Sequence, residues 1–346
     1  MKYCLNKLPV KTTNNFKIND LEVEFDIPNF QMNHEFEIQG DTSSLKIDKK
    51  FKKEKITSKI GLELEEFYEI SITVPRDVCI EDPIMISYSF ENDESVISKF
   101  QFLYEENSSC NFILSLNSLD SSSCFSHLVE EVQMKENSKG DVTFLNLLNP
   151  NSKCFYAMEN EVSHYANLSH TIIDLGGNTR VYNAFGNSLG THSENRLNTI
   201  YIGKRNDLLD FNYYYKNIGK ESNNQIRVEG AIDDECKKNF RGTIDFLKDC
   251  TGSVGEENEN CILLSDTCRS RSLPQMLCEE ENVVGSHGVS SGKVSSDKLF
   301  YIMSRGYSEK EAEKLIVLAN FMSILNTISS SDLQEVIQNK IEELLA

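Results

Sequence analysis

Thr199-Ile200-Tyr201-Ile202, Gln225-Ile226-Arg227-Val228 and Cys261-Ile262-Leu263-Leu264 are short runs of β-branched, aromatic and aliphatic residues. With the cleaner alternation of Glu69-Ile70-Ser71-Ile72-Thr73-Val74, they set the class of the fold. Runs of this kind read as strands when Gly, Asn, Asp and Ser clusters bound them. Such clusters occur at Leu175-Gly176-Gly177-Asn178 and Phe185-Gly186-Asn187-Ser188-Leu189-Gly190. Few stretches between residues 140 and 280 have the pattern of a ten-residue amphipathic helix. An alternating α/β fold, which needs crossover helices between parallel strands, is therefore disfavoured. A mainly β chain of this kind is expected to be either a sandwich or a solenoid of stacked coils. Asparagines at apparent corners (Asn178, Asn183, Asn187, Asn195 and Asn198) suit stacked amide ladders along a solenoid, but equally suit ordinary turns. No crisp period separates the two architectures.

The pattern changes near residue 295. Ser296 is placed to cap a short helix over residues 297–304, with Gly306 as its stop. Ser308-Glu309-Lys310-Glu311 reads as a capping box, followed by a helix with Ala312, Leu315, Ile316, Ala319 and Met322 on one face. Ser331-Asp332-Leu333-Gln334 reads as a second box, before a helix striped with Leu333, Val336, Ile337, Ile341, Leu344 and Leu345. The chain thus divides into a β-rich segment over 1–68, a β core over 69–294 and a helical domain over 295–346. The cluster Lys49-Lys50-Phe51-Lys52-Lys53 reads as a solvated face.

Composition excludes several function classes. The 346 residues carry a net charge of −19, which opposes binding to a phosphate backbone and argues against nucleic acid as a partner. Neither an apolar leader nor a run of about 18 apolar residues is present, so a cytoplasmic chain without membrane contact is expected. Ten cysteines are scattered without a C-x-x-C pair, which argues against a structural zinc site. They are expected to be free, mostly small buried apolar groups. His164 and His170 read as ordinary sheet residues on one face. P-loop, G-x-S-x-G and H-E-x-x-H motifs are missing, so no nucleotide is expected to bind the chain directly.

Four pieces between Asn239 and Phe321 carry a resemblance. They are Asn239-Phe240-Arg241-Gly242-Thr243-Ile244; Leu263-Leu264-Ser265-Asp266 with Leu273-Pro274-Gln275-Met276; Val284-Gly285-Ser286-His287-Gly288 with Gly292; and Leu299-Phe300-Tyr301 with Ser304-Arg305-Gly306 and Glu311-Ala312. In this order and at this spacing they resemble the SufB/SufD family of iron–sulfur cluster assembly proteins, nearest its SufD branch. Val74-Pro75-Arg76-Asp77-Val78 and Pro83-Ile84-Met85-Ile86 resemble the family more loosely. The specific match covers about a quarter of the chain.

The resemblance implies a right-handed parallel β-helix, which decides between the two architectures, and a C-terminal helical domain that docks a SufC-like ABC ATPase. It also implies a non-enzymatic scaffold that pairs with a SufB-like paralogue or with itself and assembles a transient iron–sulfur cluster at the junction. The long N-terminal helical domain of larger members has no counterpart here. His287 stands at the family's S-H-G histidine, a proposed cluster residue. The family's cysteine two residues earlier is replaced by Gly285, and the SufB glutamate after the histidine by Gly288. Glu259 aligns with the SufB ligand cysteine. Cys261, two residues on, points to the same face of a strand, so either could substitute as a ligand. Cys268 and Cys278 are expected to be core substitutes. The docking segment implied by the resemblance comprises Phe300, Tyr301, Arg305, Gly306 and Ala312. Two alternatives stand beside this reading: a β-helix enzyme that cleaves polysaccharide with paired carboxylates, and a metal-free structural adaptor.

Overall fold

The structure, a computed structural model, describes residues 1–12, 16–33, 35–328 and 330–345. Its centre is a parallel β-helix of eight coils, each giving one strand to each of two facing sheets. Coils 1 to 4 are Phe67–Val74 with Ile84–Phe90, Glu94–Tyr104 with Ser109–Ser118, Cys124–Met134 with Lys139–Leu147, and Lys153–Val162 with Asn167–Asp174. Coils 5 to 8 are Thr179–Ser188 with Glu194–Gly203, Leu208–Asn217 with Asn223–Ile232, Lys237–Phe246 with Val254–Leu263, and Arg269–Cys278 with Val284–Lys293. The solenoid expected from the resemblance is therefore present.

Three apolar layers hold it together. The lumen between the sheets is filled by inward residues such as Phe144, Tyr156, Tyr182, Phe211 and Phe240. Phe144 stacks on Tyr156 at 4.0 Å and Tyr182 on Phe211 at 5.4 Å. The outer face of the second sheet carries Ile113, Leu145, Ile173, Ile200 and Ile262, which the C-terminal helices cover. The outer face of the first sheet carries Phe125, Val129, Phe155 and Val181, covered by Leu5, Leu21, Phe25, Ile60 and Leu62 from the N-terminal segment. Strands buried on both faces become continuous apolar runs. That is why Thr199-Ile200-Tyr201-Ile202 loses its polar alternation.

Coils 1 to 6 turn from the first to the second strand through a residue with positive φ, at Asp77, Asn107, Asn137, Tyr165, His192 and Glu221 in order. Asn107 Nδ2 donates to Asp77 Oδ1 at 2.8 Å, and Asn137 Nδ2 to Asn107 Oδ1 at 2.9 Å. The column continues with the rings of Tyr165 and His192 stacked at 5.2 Å. An amide ladder thus exists, but not among the expected asparagines. Asn183, Asn187, Asn195 and Asn198 lie within strands, as does Gly186, against which the Tyr215 ring packs. At a neighbouring corner, adjacent coils touch through glycine: a Cβ on Gly219 would meet the Gly190 carbonyl oxygen at 2.1 Å.

Three helices follow: α1 (Ser296–Met303), α2 (Glu309–Leu325) and α3 (Ser331–Leu344). The capping box of α2 forms as read, with Ser308 N donating to Glu311 Oε2 at 2.7 Å and Glu311 N to Ser308 Oγ at 3.4 Å. The cap of α3 is Ser330 rather than Ser331, accepting from Leu333 N at 3.3 Å. Helix α1 starts one residue earlier than expected, after Ser295, which makes no side-chain cap. Helix α2 buries Ala312, Val317, Leu318, Phe321, Ile324 and Leu325, while Leu315 is exposed. Its sequence is apolar on most sides, so periodicity found Ala312, Ile316 and Met322 against the core but missed Val317, Leu318 and Phe321. Helix α3 buries Leu333, Ile337 and Ile341 but exposes Val336.

The two ends of the solenoid differ. Before coil 1, Lys46–Lys52 pairs antiparallel with the first sheet and Glu37–Gln39 with the second, closing both edges. The lysine cluster is therefore an edge strand, with Lys52 within 3.3 Å of Glu69. Coil 8 ends both sheets without a further strand among the described residues.

Candidate functional site

The inward face of coil 7 carries Glu257, Glu259 and Cys261 at alternate positions of one strand and Lys238 on the other. All four are buried. Lys238 Nζ is ion-paired with Glu259 Oε1 inside the lumen and donates to Ser272 Oγ of coil 8 at 2.9 Å. The Tyr201 hydroxyl donates to the same Glu259 oxygen at 3.2 Å. Burial pushes the Cys261 thiol up, and Lys238 only partly opposes it, so the group rests as a thiol rather than the thiolate that binds metal.

His287 lies on coil 8 in register with Glu257, and Ser291 in register with Cys261. In-register residues of parallel strands share a face, so His287 stands over Glu257 on the lumen side of the last coil. It is exposed because coil 8 is the open end. Glu257 was not legible as a site residue. Burial first, then the neighbouring charge of Glu259, push its carboxyl up to about 8. Both its oxygens lack hydrogen-bond partners. The carboxylate occupies the space left by Gly242, where a Cβ would meet Glu257 Oε1 at 2.0 Å. Even spacing from Glu259 and Cys261, and a 30-residue offset to His287, was the signal available in the sequence. Of the predicted ligands, the structure joins Glu259 and Cys261 in one polar cluster and sets His287 one coil above. Among the described residues, no three His, Cys, Asp or Glu side chains are placed to hold a metal ion.

The remaining cysteines are unpaired, and seven of the ten are buried. Cys268 is buried as expected, whereas Cys278 is exposed. His164 sits in a turn, where its Nδ1 accepts from Thr191 N at 2.9 Å. His170 is instead deep in the lumen, at 2.9 Å from the Tyr156 hydroxyl. The two do not share a strand.

The second candidate surface is α1, which buries none of its residues. Phe300 is 76% exposed and Tyr301 59%. The Arg305 guanidinium lies 5.1 Å from the Tyr301 ring centre, and its Nη2 donates to the Tyr301 hydroxyl at 3.0 Å. Gly306 ends the segment at φ +99°. Ala312 is fully buried, so it seats α2 and offers no contact surface.

The eight-coil parallel β-helix, with a polar lumen mouth at its last coils and an uncovered aromatic helix, defines the class of protein by its architecture. The profile of the SUF system FeS cluster assembly, SufBD core domain family matches residues 88–320, and the chain belongs to that family. It is 22% identical over 282 residues to the iron–sulfur cluster assembly protein SufD of Bacillus subtilis, covering 78% of this chain and 62% of that protein. To SufD of Escherichia coli it is 21% identical over 201 residues, covering 55% and 47%. A SufBD family protein of Pyrococcus horikoshii is 27% identical over 185 residues, covering 53% and 40%. The chain thus spans between two fifths and two thirds of the length of these relatives. No helix among the described residues is long and apolar enough to cross a membrane.

Proposed function

We propose that this chain is a non-enzymatic scaffold subunit of a Suf-type machinery. Its coil 8 edge pairs with that of a SufB-like paralogue or a second copy, and an iron–sulfur cluster is assembled at the junction. Helix α1 docks a SufC-like ABC ATPase. The observation that carries this reading is the incompleteness of the open end. His287 stands exposed there, one coil above the buried Glu259 and Cys261, and among the described residues no three ligands meet, so this reading takes further ligands from across an interface. An unpaired strand edge is itself a template for association. The exposed aromatic pair and Arg305 have the chemistry of interface anchors.

An anaerobic pull-down of the tagged chain from its native host tests the assignment. An ABC-type ATPase and a paralogue are expected to co-elute. Their absence with and without added ATP overturns the docking and pairing. On the purified complex, His287→Ala and the Cys261→Ala, Glu259→Ala pair are expected to lower bound iron and sulfide; unchanged loading in folded variants removes the ligand assignment. Arg305→Ala is expected to weaken ATPase binding by calorimetry without changing the fold.

A second reading, a metal-free adaptor, gains from the buried, protonated Cys261. Colourless protein after anaerobic reconstitution, with indifference to His287→Ala, would favour it. The polysaccharide enzyme fits less well. The adjacent carboxylates Glu257 and Glu259 are sealed in the lumen, where a glycan chain has no path.

A further inference from the structure

On the opposite side of the first sheet from the lumen, a cavity of about 850 Å³ opens between the N-terminal segment and coils 6 to 8. Lys17, Lys237, Arg269 and Arg271 line it, with Asn239, Leu208 and Leu21. The cations are placed by the fold rather than scattered. Lys237 is in register with Arg269, and Asn239 with Arg271, on adjacent parallel strands. In-register residues on neighbouring strands are about 4.8 Å apart at Cα, and like charges set side by side destabilise the pairing. Among the described residues, none of Lys17, Lys237, Arg269 and Arg271 has a carboxylate within ion-pair distance. The nearest acids on the wall are otherwise engaged or few. Glu22 pairs with Lys2 at 3.3 Å, leaving Asp20. Arg269 is held by Asp266 O at 3.1 Å and Cys268 O at 3.0 Å through one nitrogen, Nη1. In a chain of net charge −19, four cations against Asp20 and an engaged Glu22 around one cavity are a local inversion of sign.

We propose that this cavity is a binding site for a small organic phosphate. The planar guanidinium of Arg271 matches a phosphate edge bidentately, and Lys237 and Lys17 on the same lining add point charges. Leu21 and Leu208 give the ligand's uncharged body an apolar wall. The volume lies within the range of small-molecule sites and accommodates a nucleotide-sized ligand. A long polyanion is disfavoured, because the rest of the surface repels it. The site lies on the far face of the sheet from His287, so it is independent of the cluster-assembly reading.

Isothermal titration of the full chain with inorganic pyrophosphate and with AMP tests this. One saturable site is expected, weakening as KCl is raised. Lys237→Gln with Arg271→Gln is expected to lower affinity at least tenfold while the circular dichroism melt stays unchanged. Lys220→Glu, on a distant turn, is expected to leave it unaltered. No binding at millimolar probe, or equal affinity in the double variant and the wild type, overturns the site. Binding only to vesicles containing phosphatidic acid, with neither soluble probe, also overturns it and assigns the basic face to a lipid surface.

Discussion

Arg241→Met is expected to destabilise the protein by about 3–5 kcal/mol, the cost of leaving one partner of a buried ion pair uncompensated. Arg241 and Asp210 are both fully buried on the outer face of the first sheet. The guanidinium is bidentate, with Nη1 at 2.7 Å from Asp210 Oδ1 and Nη2 at 2.9 Å from Oδ2. Its Nε donates to the Ile18 carbonyl. Asn6 Nδ2 reaches Asp210 Oδ1 at 2.8 Å, and Asn239 Nδ2 reaches Oδ2 at 3.1 Å. The arginine of the F-R-G stretch is thus a clamp that ties the N-terminal segment to coils 6 and 7. Without it, Asp210 keeps only two neutral donors. In Arg241→Met with Asp210→Leu the orphaned charge is gone; Asn6 Nδ2 keeps the Tyr182 carbonyl at 3.0 Å, and the remaining cost is the unpaired Asn239 amide and Ile18 carbonyl, about 1 kcal/mol each. Urea unfolding followed by far-UV circular dichroism gives both values. Trypsin cleavage at Lys11 and Lys17 is expected to accelerate in the single variant, reporting release of the segment. A single-variant cost under 1 kcal/mol, or a double variant no better than the single, refutes the clamp.

Phe321→Ala, in the layer between α2 and the second sheet, is expected to cost about 3–5 kcal/mol and to loosen the helices, seen as faster amide exchange in α2 and α3. Gly219→Ala drives a Cβ toward the Gly190 carbonyl at 2.1 Å and is expected to cost about 1–3 kcal/mol. Gly292→Ala, with nothing within 4 Å, is expected to stay within about 0.5 kcal/mol of the wild type in the same urea titration. Stability is expected to fall between pH 6.5 and 8.5. Burial holds Glu130 up at about 7 and Glu257 up at about 8, so both contribute stability that is full below their unfolded value near 4.5 and is lost as pH rises through 7 and 8. His127 and His170, pushed down by burial to about 4 and about 3, contribute in the opposite sense and lose their share only below pH 6.5. Melting temperatures across this range should flatten in Glu130→Gln with Glu257→Gln, and an unchanged slope would contradict the assignment.

The strands were legible because inward and outward faces differ wherever one face meets solvent, as at Glu69–Val74. The coil repeat was not, for a physical reason. The registered offset varies from 26 residues (Lys153 to Thr179) to 32 (Lys237 to Arg269). Turns absorb the difference while the hydrogen-bonded strands stay in step. A period exists in space that the sequence smears. The positive-φ corners are filled by Asp, Asn, Tyr, His and Glu in turn, so no single residue type marks them. His287, Glu259 and Cys261 could be singled out from short motifs. Their separation into a buried pair and an exposed histidine depends on which coil is last, which no local pattern states. No motif marks Glu257 among neighbours such as Glu256 and Asn258; its place in the lumen follows from its register with His287 and from the space left by Gly242 on the facing strand.

The antiparallel strands Lys46–Lys52 and Glu37–Gln39 have a consequence for stoichiometry. A solenoid with two bare ends could add copies head to tail without limit and grow into a fibre. Here one end is already terminated by reversed strands carrying lysine, so a copy joined through coil 8 presents only its stopped end outward. In the pairing through coil 8 proposed above, growth would therefore halt at two, because the reversed strands already close the opposite end of each copy.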